Sequence, residues 1–529
     1  DRLHNEYFKN LPQNWQLYLV HLFNKVLEQE KVPDIWAKSI VSMIYKKGDK
    51  TMPDNYRPIS LLCGILKIFT QIILERLIVW DESVFALPES QCGFRKGRSC
   101  VDNLFVLNTM IQLKLDYRKS DLFVIFVDYR KAFDSVNRSR LWHKLSQMGI
   151  SGKLIRILKS IYDNATLRVK SGGIVSDEIP VTKGVLQGEV LTGYLFSLFT
   201  SDIEEFFRAR GASGIPISPG KDILLSLYAD DSAFFADSMP DLVKKLEILA
   251  NYASKNHLEV NTVKTKIIHF HKGRPKKIKK LYYLGEEVEV VSAFDYLGIR
   301  FSNSGLFHLA SKLAASRASS AVGSVLEVCR KGKFRSMECR SRVNDAISMS
   351  TLFYGVEIWG LRYLSEIEKA HLEFYKKLFS LNKSTPAWLI RTEFDLLNSN
   401  YNVVKSALFW ICKLLEMQDH RLPKLCFLKL KNIHFSRKPS LKYNWFSQMD
   451  YLLSLIGSND ILLETDPTVF KKSISGTLNR YKESQKLNDL ELMHSAKYSP
   501  IYNDLLATSS VCQYSSELNL PFGIVKLVT

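Results

Sequence analysis

Tyr228-Ala229-Asp230-Asp231 stands between two apolar runs, Ile223 to Leu227 and Ala233 to Ala236. Runs this short, with polar residues between them, predict two strands of a hairpin with the acids at its turn. Adjacent carboxylates at a tight turn repel each other, and a divalent cation makes such a site tolerable. Magnesium takes one or two carboxylates, several waters and the oxygens of a substrate phosphate. A solvated acidic turn would carry the same four residues, so the surroundings have to decide between the two.

Upstream, Phe123-Val124-Ile125-Phe126-Val127 is an unbroken apolar, β-branched run that ends in Asp128. Such a run predicts a strand buried on both faces. Asp128 then sits at the carboxyl end of a central strand, where ligands of sheet enzymes collect. Acids at the tips of neighbouring strands, Asp128 with Asp230 and Asp231, suit a two-metal phosphoryl-transfer centre.

The chain of 529 residues is long enough for several domains or one multi-lobed enzyme. With 46% hydrophobic and 12% aromatic residues it can bury a sizeable core. A net charge of +19 suggests a polyanionic partner. The charge is spread along the chain, which favours nucleic acid over an anionic membrane surface. No apolar run reaches the ~18 residues of a membrane-spanning helix, so no membrane partner is expected. The sequence begins at Asp1 without a signal peptide and is expected to be part of a longer polyprotein. The cysteines at 63, 92, 100, 329, 339, 412, 426 and 512 form no CxxC pair, and reduced thiols are the default.

With the acids, the ordered blocks from Trp36 to Gly360 resemble the reverse transcriptases of non-LTR (LINE-type) retrotransposons. The resemblance implies a right-hand α/β polymerase with fingers, palm, thumb and a mainly helical C-terminal domain. It implies an RNA-directed DNA polymerase that copies retrotransposon RNA from a DNA 3′-hydroxyl, by target-primed reverse transcription. The implied partners are template RNA, a DNA primer or target, and dNTPs. The implied cofactor is two Mg²⁺ ions, with Mn²⁺ as a substitute, and the implied location is the nucleus, with assembly in the cytoplasm. A domesticated or intron-encoded RNA-templated polymerase is one alternative. A catalytically idle RNA-binding protein is another, and the intact Asp128, Asp230 and Asp231 argue against it.

Each block has its own reading. The amphipathic pattern at 13–30, with Trp15, Leu17, Val20, Leu22, Phe23 and Val26, predicts a helix ended by Pro33. Ala37 to Tyr45 predicts a strand, followed by a basic turn, Lys46-Lys47-Gly48-Asp49-Lys50, and a return strand edge with Arg57 and Pro58. In the family this hairpin folds over the incoming triphosphate, so Lys46, Lys47 and Arg57 are dNTP-binding candidates; a guanidinium can grip phosphate bidentately. Gln91 to Arg98 resembles the Gly-Phe-Arg block that tracks the template, with Arg95 as the contact. Phe133, five residues beyond Asp128, matches the ring that excludes a 2′-hydroxyl, with Tyr129 the next candidate. Asp134 or Asn137 could cap the following helix.

Gln187-Gly188 matches the block that meets the nascent base pair, assigning Gln187 to the dNTP and Gly188 to the template or primer. The family's Arg and Asp-Pro-Leu-Ser-Pro are replaced here by Leu186 and by Glu189 to Gly193. Lys264 matches the Lys that protonates leaving pyrophosphate. Tyr228 and the Tyr296-Leu297-Gly298 tip match primer contacts. Lys272 to Lys280 is a basic run that suits nucleic acid, nuclear import or a solvated hairpin. Small residues from Phe307 to Gly360 suit a helical thumb. Past Leu381 the likeness fades. Lys424 to Trp445 interleaves Lys429, Lys431, Arg437 and Lys438 with Phe427, His434, Phe435, Tyr443 and Trp445. That mixture suits single-stranded RNA stacked on rings, or a core helix with a wet face. The resulting division is 1–32 N-terminal extension, 33–127 fingers with part of the palm, 128–300 palm with inserted fingers elements, 301–385 thumb, and 386–529 a helical RNA- and DNA-binding region.

Overall fold

A computed structural model describes residues 5–496 except 47, 275–277 and 438. Its central sheet has the strand order Val290–Val291, Lys266–Phe270, Leu122–Val127, Asp231–Ala236, Leu225–Tyr228. The run ending at Val127 is therefore the middle strand, antiparallel to both neighbours. All its residues are buried. Leu122, Val124 and Phe126 face one hydrophobic core, while Phe123, Ile125 and Val127 face a second. Alternate side chains leave a strand on opposite faces. A strand between two cores must be apolar at every position, which explains the unbroken run.

The second core lies against the helices Gly64–Val84, Arg138–Gln147, Gly152–Asp163, Thr192–Phe199 and Met239–Asn256. The expected fingers hairpin is present. Lys38–Tyr45 pairs antiparallel with Tyr56–Leu61, with Ile44 opposite Arg57. Thr166–Ser171 pairs parallel on the other edge. The N-terminal helix spans Gln13–Gln29 and stops at Glu30, which is left-handed (φ 55°), before Pro33 is reached. Only Phe23 and Val26 of its stripe are buried, with Phe23 packed against Trp36 and Phe69. Trp15, Leu17 and Val20 are exposed, so the docked face is shorter than the sequence pattern predicts.

The thumb helix His308–Lys331 packs against Leu364–Leu378 through Val322, Val325, Leu372 and Phe374. The boundary drawn at residue 300 cuts a hairpin, Ala293–Tyr296 with Ile299–Ser302.

Residues 386–496 do not form a separate body. Their helices, Asn400–Glu416, Leu422–Ser436, Trp445–Ser454 and Pro467–His494 among them, share the first core with the palm helix Cys100–Gln112. Trp445 is fully buried, meets Phe105 at 5.2 Å, and donates its indole N–H to Glu357 O at 2.7 Å. Phe427 is 1% exposed. The stacking reading of these two rings is corrected: they are core, because a helix against a large apolar surface needs one aromatic face of its own. Lys438 lies outside the described residues, as do Cys512 and the centre of the 272–280 run. At the ends of that run Lys272 pairs with Asp116 and Lys280 with Glu287.

Candidate active site

The acidic hairpin pairs Tyr228 with Asp231, leaving Ala229 and Asp230 as a two-residue tip. Its strands reach one residue (Tyr228) and two residues (Asp231) closer to the tip than the apolar runs suggest. Lys221–Ile223 instead joins a separate small hairpin with Ile215–Ser218. The next strand pair over is Ser232 with Val127, so the same register sets Asp231 across from Asp128. The backbone of Asp128 is fixed by Asn261, whose N–H donates to its carbonyl at 2.8 Å.

The acids are under-compensated. Asp128 Oδ2 is buried without a hydrogen-bond partner, and its nearest counter-charge is Lys264 Nζ at 3.6 Å. Loss of solvent, then repulsion from Asp230 and Asp128, pushes the Asp231 carboxyl up to about 6. Asp230 is raised by burial and by Asp128, against the pull of Arg57 and Lys264. Like charges that raise one another's pKa mark a site built for a cation. Among the described residues, no three acid, His or Cys side chains converge as a ready-made metal cage.

Cations face these acids from the fingers. Lys46 lies in the field of Arg57, Lys264, Asp128 and Asp134, and burial followed by the two cations lowers its pKa. Lys46 N–H bonds Asn55 O at 2.8 Å, closing the hairpin base beside Arg57. Lys47 lies outside the described residues. A negative floor beneath a positive roof suits a triphosphate carried with divalent ions.

Phe133 is half-buried against Phe196 at 4.9 Å and Phe94 at 6.4 Å. Gln187 Nε2 donates to Asp134 at 3.1 Å, and Val185 N–H donates to Phe133 O at 2.9 Å. Asn137, not Asp134, caps the next helix by accepting from Arg140 N–H. Gly188 has φ +109°, and a Cβ there would come within 2.4 Å of Ser60 O. Ser60 N–H donates to Gln187 O at 2.8 Å, tying this loop to the fingers. Glu189, beside it, is 6% exposed. Tyr129 is 5% exposed and belongs to the second core, so its ring does not line the open site.

The template and primer candidates separate. Arg95 turns inward, donating to Pro88 O at 2.9 Å, with Asp81 3.7 Å away. Its guanidinium braces its own loop. Tyr296 is 3% exposed and leans on Phe126 at 5.2 Å. Leu297 (φ 45°) and Gly298 (φ 84°) form the hairpin tip above it, and Leu297 O accepts from Tyr354 O–H at 3.0 Å. Tyr228 is half-buried, its phenol raised first by a hydrogen bond with Cys100 and then by burial. Cys100 and Tyr354 therefore join Tyr228 to the Leu297 tip. The sequence pattern assigns no role at the site to either of them, nor to Gln91 within its block or Asn103, which touch the acidic hairpin. The sequence carries no separate signal for Asn103, because its helix also holds Asp102, Asn108, Thr109 and Gln112.

Residues 44–301 match the family described as reverse transcriptase (RNA-dependent DNA polymerase). The chain is 27% identical over 403 residues to the RNA-directed DNA polymerase from mobile element jockey of Drosophila melanogaster, covering 74% of this chain and 42% of that protein. It is 26% identical over 257 residues to the Pol polyprotein from type-1 retrotransposable element R2 of Popillia japonica, covering 48% of this chain and 34% of that protein. The chain thus spans well under half the length of these curated relatives. Apo telomerase from Candida tropicalis aligns with a TM-score of 0.39 at 13% identity, over 79% of this chain and 74% of that one.

Proposed function

We propose that this chain, whose residues 44–301 form a reverse transcriptase domain of the non-LTR retrotransposon kind, synthesises DNA on an RNA template from a DNA 3′-hydroxyl. The observation that carries this reading is the set of under-compensated acids at adjacent strand tips, Asp128 opposite Asp231 with Asp230 at the turn, beneath the cations of the fingers hairpin. The donor set fits divalent ions: Asp128, Asp230 and Asp231 would hold Mg²⁺, or Mn²⁺ in its place. When bound there, such ions make the primer hydroxyl a better nucleophile and offset charge on the leaving oxygens.

The chain's own residues supply the rest. Arg57 and Lys46 orient the triphosphate, and Arg57 can do so bidentately. Lys264, 3.6 Å from Asp128, can give a proton to the departing pyrophosphate. The Phe133 ring limits the space under the sugar, and the Leu297–Gly298 tip steadies the primer. Lys429 and Arg437 extend a basic path for template RNA. The template is the element's own RNA and the primer a nicked target DNA, which places the reaction in the nucleus.

A primer-extension assay tests this. A DNA primer on an RNA template should extend with dNTPs and Mg²⁺ and not with rNTPs. Extension with rNTPs alone would indicate an RNA polymerase. Tight RNA binding with no extension in Mg²⁺ or Mn²⁺ would leave the idle RNA-binding reading.

A further inference from the structure

The acidic hairpin rests on a loop that the chemistry above does not use. Leu227 N–H donates to Ser90 O at 2.8 Å, and Cys92 N–H donates to Leu227 O at 2.9 Å. Asn103 Nδ2 adds a bond to the same carbonyl at 2.8 Å. Between these anchors lies Gln91, 1% exposed. Its Oε1 accepts from Ala229 N–H at 3.1 Å and from Gly93 N–H at 2.8 Å. Its Nε2 lies 3.4 Å from Ala229 O. Gly93 allows the approach, since a Cβ there would stand 2.2 Å from Ala229 N.

Ala229 needs this support. Its φ is +58°, in the left-handed region that L-residues with a Cβ avoid. Two-residue hairpin tips ordinarily place Gly, Asn or Asp where φ is positive. Alanine has neither the freedom of glycine nor a side chain to bond its own backbone. A strained conformation persists only where the surroundings over-determine it. Here one buried carboxamide reaches both backbone polar groups of the strained residue, and the next two residues in the chain are Asp230 and Asp231.

We propose that Gln91 is a positioning residue for the reaction: its carboxamide holds Ala229 in the left-handed conformation that aims Asp230 and Asp231 at the metal site. The proposal rests on the polymerase reading of those acids. An unbraced Ala229 would relax toward negative φ and turn the Asp230 peptide. A displacement on the order of 1 Å at the acids is enough to weaken a metal site and slow chemistry.

The test uses the full chain and four proteins: wild type, Gln91→Met, Ala229→Gly and the double variant. Met fills nearly the volume of Gln without its amide, and Gly accepts positive φ without bracing. Mn²⁺ binding is read from loss of the free-ion EPR signal without nucleotide. Extension is read as kcat and KM, and folding as the melting curve. Gln91→Met should raise the Mn²⁺ Kd at least fivefold and lower kcat at least tenfold, with the primer-template KM within twofold. Placing Ala229→Gly in the Gln91→Met background should recover at least threefold in both Mn²⁺ affinity and kcat. Wild-type Mn²⁺ affinity and kcat in Gln91→Met would overturn the proposal. So would a loss that Ala229→Gly does not relieve, whether or not the melting temperature falls, because Gln91 would then be an ordinary buried polar group. If wild type itself neither takes up Mn²⁺ nor extends a primer, the polymerase reading falls and this proposal with it.

Discussion

Two groups of carboxylates in this chain differ in how their charge is matched. Asp102 is fully buried, yet each of its oxygens is matched: Oδ1 by Lys413 at 3.2 Å and Ser99 at 2.7 Å, Oδ2 by Arg421 at 2.6 Å. Glu89, beside it, accepts from Arg98 at 2.5 Å and Arg421 at 2.6 Å. Asp128, Asp230 and Asp231 instead repel one another; among the described residues their one ion pair is Lys264 with Asp128 at 3.6 Å, and Arg57 and Lys264 act on Asp230 through space. Burial and pairing run together here: Asp102 is fully buried and matched, whereas Asp128 and Asp230 are half-buried, Asp231 is exposed, and their charges are left unmatched. The paired group flanks the Gln91 loop, and two of its cations, Lys413 and Arg421, come from the C-terminal helices, so that region holds the seat of the acidic hairpin.

The largest expected effect falls on the unpaired group. Asp230→Asn keeps the shape of the tip and removes a charge from the proposed metal site. Single-turnover extension should fall by about 10³ or more, given that electrostatic groups at a reacting centre supply several kcal/mol each. The melting temperature in EDTA should stay level or rise, because a repulsion is relieved. A metal-free melting temperature that falls by several degrees would break the contrast, since it would mean that Asp230 is bonded in the fold.

The paired group should behave the opposite way. Arg421→Ala removes the guanidinium that bridges Asp102 and Glu89 and leaves Asp102 Oδ2 buried without its donor; breaking a buried pair from one side costs on the order of 3–5 kcal/mol. The loss should appear in thermal or urea unfolding. At low temperature, where the variant is folded, extension should stay within about tenfold of wild type, or about 1.4 kcal/mol. Normal stability in Arg421→Ala would mean that the network is a surface decoration and that the C-terminal helices do not brace the palm.

What could be read from the sequence follows the same division. The acids were legible because a short motif and its neighbouring strand carry them, and Phe123 to Val127 announced burial on both faces. That the strand is antiparallel to both neighbours, between two cores, needed partners more than a hundred residues away. Gln91 was quoted as part of a block, but its partner Ala229 is 138 positions distant. Arg95 looked like a template contact because an Arg in a Gly-rich loop looks the same whether it faces phosphate or its own carbonyls. Trp445 and Phe427 misled for a related reason: long Lys stems cover apolar surface, so a core helix edged with Lys resembles an RNA platform.

Glu189 is an intermediate case, buried like Asp102 but half-paired. Leu191 N–H reaches Oε2 at 2.8 Å, while Oε1 has no partner. Burial pushes its carboxyl up to about 7, against the pull of Thr70 and the Leu191 N–H. In the unfolded chain a Glu titrates near ~4.3. The folded state therefore holds the proton more tightly, so this contribution to stability is complete below about pH 4 and is lost as pH rises through about 7. Its size is on the order of 3 kcal/mol. Glu189→Gln, which keeps the acceptor for Leu191, should flatten the decline of melting temperature between pH 4.5 and 7 and be the more stable protein at pH 8. An unchanged slope would place the titrating group elsewhere.

The smallest effect tests whether any of the C-terminal charge is free. Lys431 Nζ is committed to Leu462 O at 2.7 Å, and Lys424 Nζ to Met417 O at 2.7 Å and Asp419 at 2.9 Å. Lys424, which also bonds Leu415 O at 3.3 Å, has all three N–H groups engaged, and Lys431 is half-buried with its head drawn in by Leu462 O and the Phe446 ring 5.9 Å away. Lys429 and Arg437 differ: their cationic heads lie 5.4 Å and 4.9 Å from the centre of the Tyr117 ring, and no carboxylate pairs with either among the described residues. Each phosphate contact on a single strand contributes about 0.7 to the slope of log affinity against log salt. The double variant Lys429→Ala with Arg437→Ala should therefore flatten the slope for single-stranded RNA by about 1.4, at unchanged melting temperature. Lys431→Ala should leave the slope alone and lower the melting temperature, because Leu462 O loses its donor. If the double variant keeps the wild-type slope, Lys429 and Arg437 only sit on Tyr117 and the region is scaffold throughout. If Lys431→Ala flattens the slope as much, its bond to Leu462 does not persist in solution, and paired and unpaired charge can no longer be told apart in this region.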